Sequence, residues 1–348
     1  MQIDIESFAV HKRVPLTISR GTRASSINHW VRIGADGIEG WGEASPFSIG
    51  SEAQTPEQIA SDLARLVPAL SAFHPLQHQR IEATIADQSI CSAARAAIDV
   101  ALHDWLGRQV GLPLWQLWGL DLQRISPTAV TVGISSPADA VTRLGQWCAQ
   151  QQVASVKVKL GSPDGIDADK AMFEALLPHV PKGAKVSIDA NGGWTLEDAL
   201  VMAHWLLERG VTYLEQPLSV ANDGLLPELY RQSPLPIFID ESCFTDADIP
   251  RLAHCIHGIN IKLMKCGGLT EARRMIHTAR ACGLQVMFGC YSDSVIANTA
   301  LSHLSPLADH LDLDSHFNLK DDPFTGAQLT NGALVPNNHP GLGLSRHA

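Results

Sequence analysis

The chain reads as an α/β protein, a TIM-type (β/α) barrel preceded by an α+β capping domain. Three observations predict this. After about residue 125, eight short apolar runs follow one another, most of them separated by helix-like segments. The 120 residues in front place strand-like stretches first and helical ones after, the order of an α+β domain. Five successive runs of the eight end in a charged residue, on the face where barrel enzymes keep their sites.

Bulk properties narrow the class. The 348 residues suffice for two domains, and 45% hydrophobic with 18% charged residues is an ordinary globular balance. A formal net charge of -10 argues against a nucleic-acid or anionic-membrane partner, which would need a clustered basic face. No apolar run is long enough to span a bilayer. The opening MQIDIESFAV lacks the basic stretch and apolar run of a secretory leader. The seven cysteines are odd in number and form no CxxC pair, which suits reduced thiols. A cytoplasmic protein is expected.

In the capping domain, 1–120, strands are expected near 3–10, 13–18 and 26–33. The segment GADGIEGWGEASPF that follows reads as turns because of its glycines. Helices are expected at 55–70, opened by a Thr-Pro cap, and at 92–106, where SAARAAIDVALHDWL has strong apolar periodicity.

The barrel, 121–314, is expected from AVTVG (129–133), SVKVKL (155–160), KVSIDA (185–190), VTYLEQP (211–217), IFIDES (237–242), INIKLM (259–264), LQVMFG (284–289) and HLDLD (310–314). Equivalent positions 131, 159, 189, 215, 240, 262, 288 and 312 lie 22 to 30 residues apart, the length of a strand–loop–helix–loop unit. Eight such units favour a closed barrel over an open doubly wound sheet. The tail, 315–348, has no further unit and is expected to return to the capping domain.

The strand ends carry the chemistry. Lys159, Asp189, Glu215, Asp240 and Lys262 each follow an apolar run. Strand alternation puts Lys157 on the same face as Lys159. Taken alone, that pair also suits an exposed edge strand that uses lysine against aggregation. With three carboxylates on adjacent strand ends the site reading prevails. The carboxylates would raise one another's pKa unless a cation lay among them, and Mg2+ suits an all-oxygen site completed by water and substrate. Lys159 and Lys262 then flank the metal. A substrate carboxylate on the metal acidifies its α-proton, one amine removes it, and the other returns a proton to the opposite face. A lysine base needs a depressed pKa, and the charge of Lys157 is expected to supply that and to help neutralise the substrate carboxylate.

The segments KVK, DANGGW, LEQP, DES and NIKLMKCGG together resemble the enolase superfamily, and within it the muconate-lactonising-enzyme-like subgroup. The resemblance covers nearly the whole chain. It implies a modified (β/α)7β barrel with an N-terminal cap, Mg2+ on Asp189, Glu215 and Asp240, and an acid/base pair of Lys159 and Lys262. Asn191 and Glu241 match positions that support this set, Glu241 as a neighbour of the second lysine. Lys157 matches a position that polarises the substrate carboxylate. The subgroup includes dipeptide epimerases, o-succinylbenzoate synthases, N-acylamino-acid racemases and cycloisomerases, and its members often form homo-oligomers. Asp312 and Asp314 resemble the acidic pair by which dipeptide epimerases hold a free ammonium group, and would be poor neighbours for anionic o-succinylbenzoate. Arg23, in SRGTRASS, matches an arginine that reaches a side-chain carboxylate in Ala-Glu epimerases, with Arg20 as the alternative. The resemblance therefore implies an L-Ala-D/L-Glu type of dipeptide epimerase. Tyr291 and Asp293, in FGCYSDS, depart from the subgroup's pattern.

Other features are read as structural. His254 and His257 lack a third metal ligand. Cys266-Gly267-Gly268 is a turn, Thr270 is expected to cap the next helix, and Lys265 is expected in a loop. The eight tryptophans form no stripe for stacking on nucleic acid.

Overall fold

The structure is a computed structural model and describes residues 1–49 and 52–347. The cap begins with an antiparallel sheet of β1 (Gln2–Ile18), β2 (Gly21–Ala35) and β3 (Ile38–Ala44). The two strands expected in 3–18 are one strand whose register breaks between His11 and Leu16. Pro15 lies in that break, where a missing N–H costs no ladder bond. A hairpin of β4 (Phe47–Ile49) and β5 (Glu52–Gln54) leads to α1 (Pro56–Leu70), α2 (His78–Ala86), α3 (Ser92–Val110) and α4 (Leu114–Leu117). The Thr55 hydroxyl caps α1 by accepting from the Gln58 N–H at 3.2 Å.

The segment expected to be turns forms β3 instead, and helix packing explains why. A Cβ on Gly42 would stand 1.9 Å from the Ala97 carbonyl oxygen, and one on Gly40 2.2 Å from that of Ala101. These glycines let α3, alanine-rich at 93, 94, 96, 97 and 101, lie directly on the strand. Gly42→Ala is expected to lower stability by about 1–3 kcal/mol through overpacking, read as a shift in the urea midpoint at constant slope.

All eight barrel runs form strands: β6 (Val130–Val132), β7 (Ser155–Lys159), β8 (Lys185–Asp189), β9 (Val211–Glu215), β10 (Ile237–Ile239), β11 (Gly258–Ile261), β12 (Gln285–Phe288) and β13 (His310–Leu311). They pair in sequence order, all parallel. The Ala129 N–H donates to the Leu311 carbonyl at 2.8 Å and closes the ring. The connections carry α5 (Pro137–Gln150), α6 (Ile166–Leu176), α7 (Leu196–Leu207), α8 (Leu226–Gln232), α9 (Ile249–Leu252), the pair α10 (Leu263–Cys266) and α11 (Leu269–Ala281), and α12 (Val295–Ser302). Among the described residues no barrel helix follows β13, so the architecture is (β/α)7β.

Inward residues form two chemically distinct layers. Low in the barrel, Tyr213, Phe238 and His310 pack ring against ring, with Tyr213 4.6 Å from each of the other two centroids. The Tyr213 hydroxyl donates to the Met287 sulfur at 3.5 Å. Two residues further along the same strands stand Glu215, Asp240 and Asp312, and Gly289 follows Met287. Strand alternation thus seats the charged layer on an aromatic floor.

The tail returns to the cap. Asn318 makes two bonds with the Val14 backbone, at 2.7 and 3.1 Å, and Phe324 packs edge-on against Trp30 and Trp41. Thr270 does not cap α11. Gly268 holds that position, and Asp99 of α3 accepts from both the Thr270 N–H and hydroxyl, so the cap side chain comes from the other domain. All seven cysteines are free, and no described helix is long and apolar enough to cross a membrane.

His303, just after α12, ties tail, cap and barrel together. Its Nδ1 accepts from the Trp115 N–H at 3.2 Å and its Nε2 faces the Leu342 carbonyl at 3.3 Å. That fixes the neutral tautomer, and burial pushes its pKa down to about 4. The unfolded chain takes up a proton near pH 6.5 that the folded chain refuses until about pH 4. The contribution of His303 to stability should therefore fall between those values, by at most about 3 kcal/mol, and level off below. Urea unfolding across this window should show that loss in the wild type and much less of it in His303→Gln.

Candidate active site at the strand ends

Parallel pairing sets the site's width. Lys159 pairs with Asp189, and Asp189 with Glu215, across neighbouring strands. Asp189, Glu215 and Asp240 end three adjacent strands and are 0 to 1% exposed. Each gives one oxygen to the scaffold. Asp189 Oδ1 accepts from the Asn191 N–H at 2.8 Å, Glu215 Oε1 from Asn260 Nδ2 at 2.8 Å, and Asp240 Oδ1 from Lys265 Nζ at 2.8 Å. Each turns its other oxygen to an ammonium: Asp189 Oδ2 to Lys159 at 2.5 Å, Glu215 Oε2 to Lys157 at 2.7 Å, and Asp240 Oδ2 to Lys262 at 2.8 Å.

Lys159 and Lys262 follow from β7 and β11, four strands apart in a ring of eight, so they face each other across the carboxylates. Both line one cavity, together with Arg20, Arg23, Asn191 and Tyr291. Gly289 makes room for Lys262: a Cβ there would lie 3.0 Å from its Cε and 2.6 Å from Asn260 Nδ2. Burial tends to lower the Lys262 pKa, but Asp240 outweighs it and holds the ammonium well above its ordinary value. The Tyr291 ring centroid stands 4.3 Å from that ammonium.

A second cavity adjoins the first and contains Asp312, Asp314 and Thr131. Thr131 fastens the first strand to the last, its N–H donating to Asp314 Oδ2 at 2.7 Å and its hydroxyl to Asp312 Oδ1 at 3.2 Å. Burial and the charge of Asp312 push the Asp314 pKa up to about 6.

The structure corrects the expectation for Lys265 and gives the surroundings of Lys157, Arg20 and Arg23. Lys157, expected to tune Lys159 and to help neutralise the substrate carboxylate, is wholly buried. Its ammonium is held by Asp312 at 2.6 Å and Glu215 at 2.7 Å, with Asp189 at 3.5 Å. Burial alone would lower its pKa, but these acids raise it well above the ordinary value. Lys157 therefore compensates the carboxylates from beneath. Lys265, expected in a loop, is 1% exposed in α10 and donates to Asp240 Oδ1, the Asp240 carbonyl and the Asn260 carbonyl. Its signal was the spacing in KLMK, since a residue three positions after Lys262 on a helical turn comes back to the same side. Arg20 and Arg23 separate cleanly. Arg20 Nη1 bonds Glu241 Oε1 at 2.9 Å and the Asn191 carbonyl at 2.8 Å, whereas Arg23 Nη2 donates to Ser48 Oγ at 2.9 Å. Glu241, expected beside the second lysine, thus pairs with the cap's Arg20, and Asn191 Nδ2 bridges it to Asp189, each at 3.1 Å.

The donor set fits Mg2+. Three buried carboxylates end adjacent strands, each with one oxygen fixed by the scaffold and the other on an ammonium, an all-oxygen set of the kind this ion takes with water and substrate. Burial, then the neighbouring Asp189 charge, push the Glu215 pKa up to about 7, against the lowering effect of Lys157. A separate cluster, His78, Asp99 and His103, lies where α2 and α3 meet α11. The Asp99 oxygens there serve Thr270, so this group is a helix cap.

Residues 139–347 match the family described as Enolase C-terminal domain-like, and residues 2–119 match the Mandelate racemase / muconate lactonizing enzyme, N-terminal domain. The chain belongs to the enolase superfamily. Among its relatives in that superfamily, the hydrophobic dipeptide epimerase of Flavobacteria bacterium (strain MS024-2A) is 42% identical, with 99% of this chain and 97% of that one covered. The L-Ala-D/L-Glu epimerase of Bacteroides thetaiotaomicron is 35% identical, covering 99% and 88%. A solved dipeptide epimerase from Enterococcus faecalis V583, complexed with Mg and L-Leu-L-Tyr, superposes with a TM-score of 0.91 at 30% identity over 99% of both chains.

In this enolase-superfamily site Lys265 donates to Asp240, one of the three carboxylates that would hold the metal. Lys265→Met is expected to cost 10- to 100-fold in turnover, as the loss of a group orienting a metal ligand commonly does. Unchanged turnover with a normal circular dichroism spectrum would contradict that role.

Proposed function

We propose that the protein is a Mg2+-dependent dipeptide epimerase in which Lys159 and Lys262 exchange the α-proton of the second residue between opposite faces. The observation that carries this reading is the four-strand separation of the two lysines across the carboxylate trio, with Asp312 and Asp314 in the adjoining cavity. Bound by Asp189, Glu215 and Asp240, Mg2+ would supply the charge that stabilises a substrate carboxylate as its α-proton is lost. One lysine, neutral, accepts that proton. The other, as an ammonium, delivers a proton to the opposite face, and the stereocentre inverts with no net change in atoms. Asp312 and Asp314 offer a free ammonium group its counter-charge, which supports a dipeptide over an anionic succinylbenzoate or an N-acylated amino acid.

The side chain of the second residue lies towards the mouth of the first cavity. Arg23 lines that cavity and, among the described residues, has one neutral partner, Ser48, which supports an acidic residue and an L-Ala-D/L-Glu type of substrate. A second reading rests on Phe47 and Tyr291, stacked 4.6 Å apart with 4° between their planes on the same cavity wall. That surface suits an apolar side chain, like those of the hydrophobic dipeptides named for the Flavobacteria relative.

A dipeptide panel incubated with enzyme and Mg2+ in D2O should gain one mass unit at the second α-carbon, and the absence of exchange across the panel would end the proposal. Arg23→Leu should reduce kcat/KM for L-Ala-L-Glu by about 10- to 100-fold and spare L-Ala-L-Leu. Lys159→Ala and Lys262→Ala should each slow epimerisation by about 10²- to 10⁴-fold. Each variant should still exchange deuterium into one stereoisomer, and full turnover in both would exclude a two-base scheme.

A further inference from the structure

Lys12 is the one buried ammonium at this site that the proposed chemistry leaves unused. It lies in β1, is 7% exposed, and donates to Ser292 Oγ at 2.8 Å. Lys157, Lys159, Lys262 and Lys265 each have a carboxylate oxygen 2.5 to 2.8 Å away. Among the described residues Lys12 has none within 4.0 Å. Asp293 and Asp314 act on it only from further off, with Cys290, and Arg23 opposes them. A buried ammonium with a single neutral acceptor retains unused donors at high desolvation cost.

Its place says what those donors face. The two cavities share Lys12, Leu16, Lys159, Cys290 and Tyr291, which therefore form the waist between them. On the dipeptide reading, the substrate ammonium goes to the Asp312–Asp314 cavity and the second α-carbon lies between Lys159 and Lys262. The atoms between those points are the first α-carbon and the peptide unit. That unit has one strong acceptor, its carbonyl oxygen.

We propose that Lys12 is a substrate-binding residue whose ammonium donates to the peptide carbonyl oxygen at the waist of the two-lobed cavity. This rests on the dipeptide reading and adds a contact from the cap that selects an amide at this position. Lys12 takes no part in proton transfer, so its loss should appear mainly in KM.

The test compares a dipeptide that the wild type epimerises with its trans-alkene isostere, which keeps the shape and both termini but has no carbonyl. KM is measured for the dipeptide and the inhibition constant for the isostere. Lys12→Met should raise KM by about 10- to 100-fold, the range for a charge-assisted hydrogen bond, while the isostere's inhibition constant stays within about twofold. Lys12→Gln, which keeps a neutral donor, should fall between and serves if the methionine variant does not fold. Ser292→Ala should leave both constants near wild type. Equal weakening of dipeptide and isostere would make Lys12 a structural residue and overturn the proposal, as would no change in either. Failure of the wild type to exchange any dipeptide would instead overturn the epimerase reading, and this contact with it.

Discussion

Everything at the mouth of the barrel depends on keeping carboxylates charged where water is nearly absent. Asp189, Glu215, Asp240, Glu241, Asp312 and Asp314 are all at most 6% exposed. Left alone, such a group would take up protons, because burial and like charge both favour the neutral acid. The fold answers with Lys157 and Lys265 from beneath, Lys159 and Lys262 from the sides, and Arg20 from the cap. The lower pair is sealed among these acids, at 0 and 1% exposure. The lateral pair reaches the cavity, where it can exchange its carboxylate partners for a substrate. Burial depth thus separates the lysines beneath the carboxylates from those that reach the cavity.

That distinction also marks how far the sequence could be read. A barrel strand is apolar on its outer face and buried on both, so a charge at its end stands out, and Lys159, Asp189, Glu215, Asp240 and Lys262 were visible for that reason. Alternation correctly turned Lys157 inward but said nothing of depth; one layer lower, its ammonium meets acids from three strands and no cavity. Lys265 was hidden because its importance arises from a single helical turn after β11 that folds it back under Asp240. The third cap strand was hidden by Gly40 and Gly42, which look like turn formers until α3 is seen lying against them. These misses share a cause: each residue is explained by a contact with a distant element, which local pattern cannot encode.

The cap is as much a part of the site as the barrel. It contributes Lys12, Arg20, Arg23 and Phe47 to the cavities. It also grips the barrel loop after β12 that carries Tyr291. Asn28 donates to the Ser292 carbonyl at 2.8 Å, Glu43 accepts from the Ser294 N–H and hydroxyl, and the Ser45 hydroxyl donates to Asp293. Burial and the neighbouring Asp293 push the Glu43 pKa up to about 8. This is a buried acid cluster that satisfies itself through short hydrogen bonds across a domain boundary, the kind of network that fixes one arrangement when complete. The Phe47–Tyr291 stack bridges the same boundary. Side-chain selectivity therefore belongs to neither domain alone.

An epimerase faces a geometric demand that a lyase on the same scaffold escapes. Inverting an α-carbon carries it through the plane of its three heavier substituents, while the proton leaves by one face and returns by the other. Both stereoisomers can be substrates only if carboxylate, nitrogen and side chain keep nearly the same positions throughout. Three separate anchors are therefore needed, with the two proton carriers on a line across them. The carboxylate trio, the acid pair on the last strand and the cap-lined mouth lie in three directions around the Lys159–Lys262 axis. Strand order fixes the first two and the axis; the cap supplies the third. The barrel alone sets a proton-transfer axis, but it takes the docked cap to turn that axis into a site able to accept either configuration, which is why fold by itself leaves the substrate open.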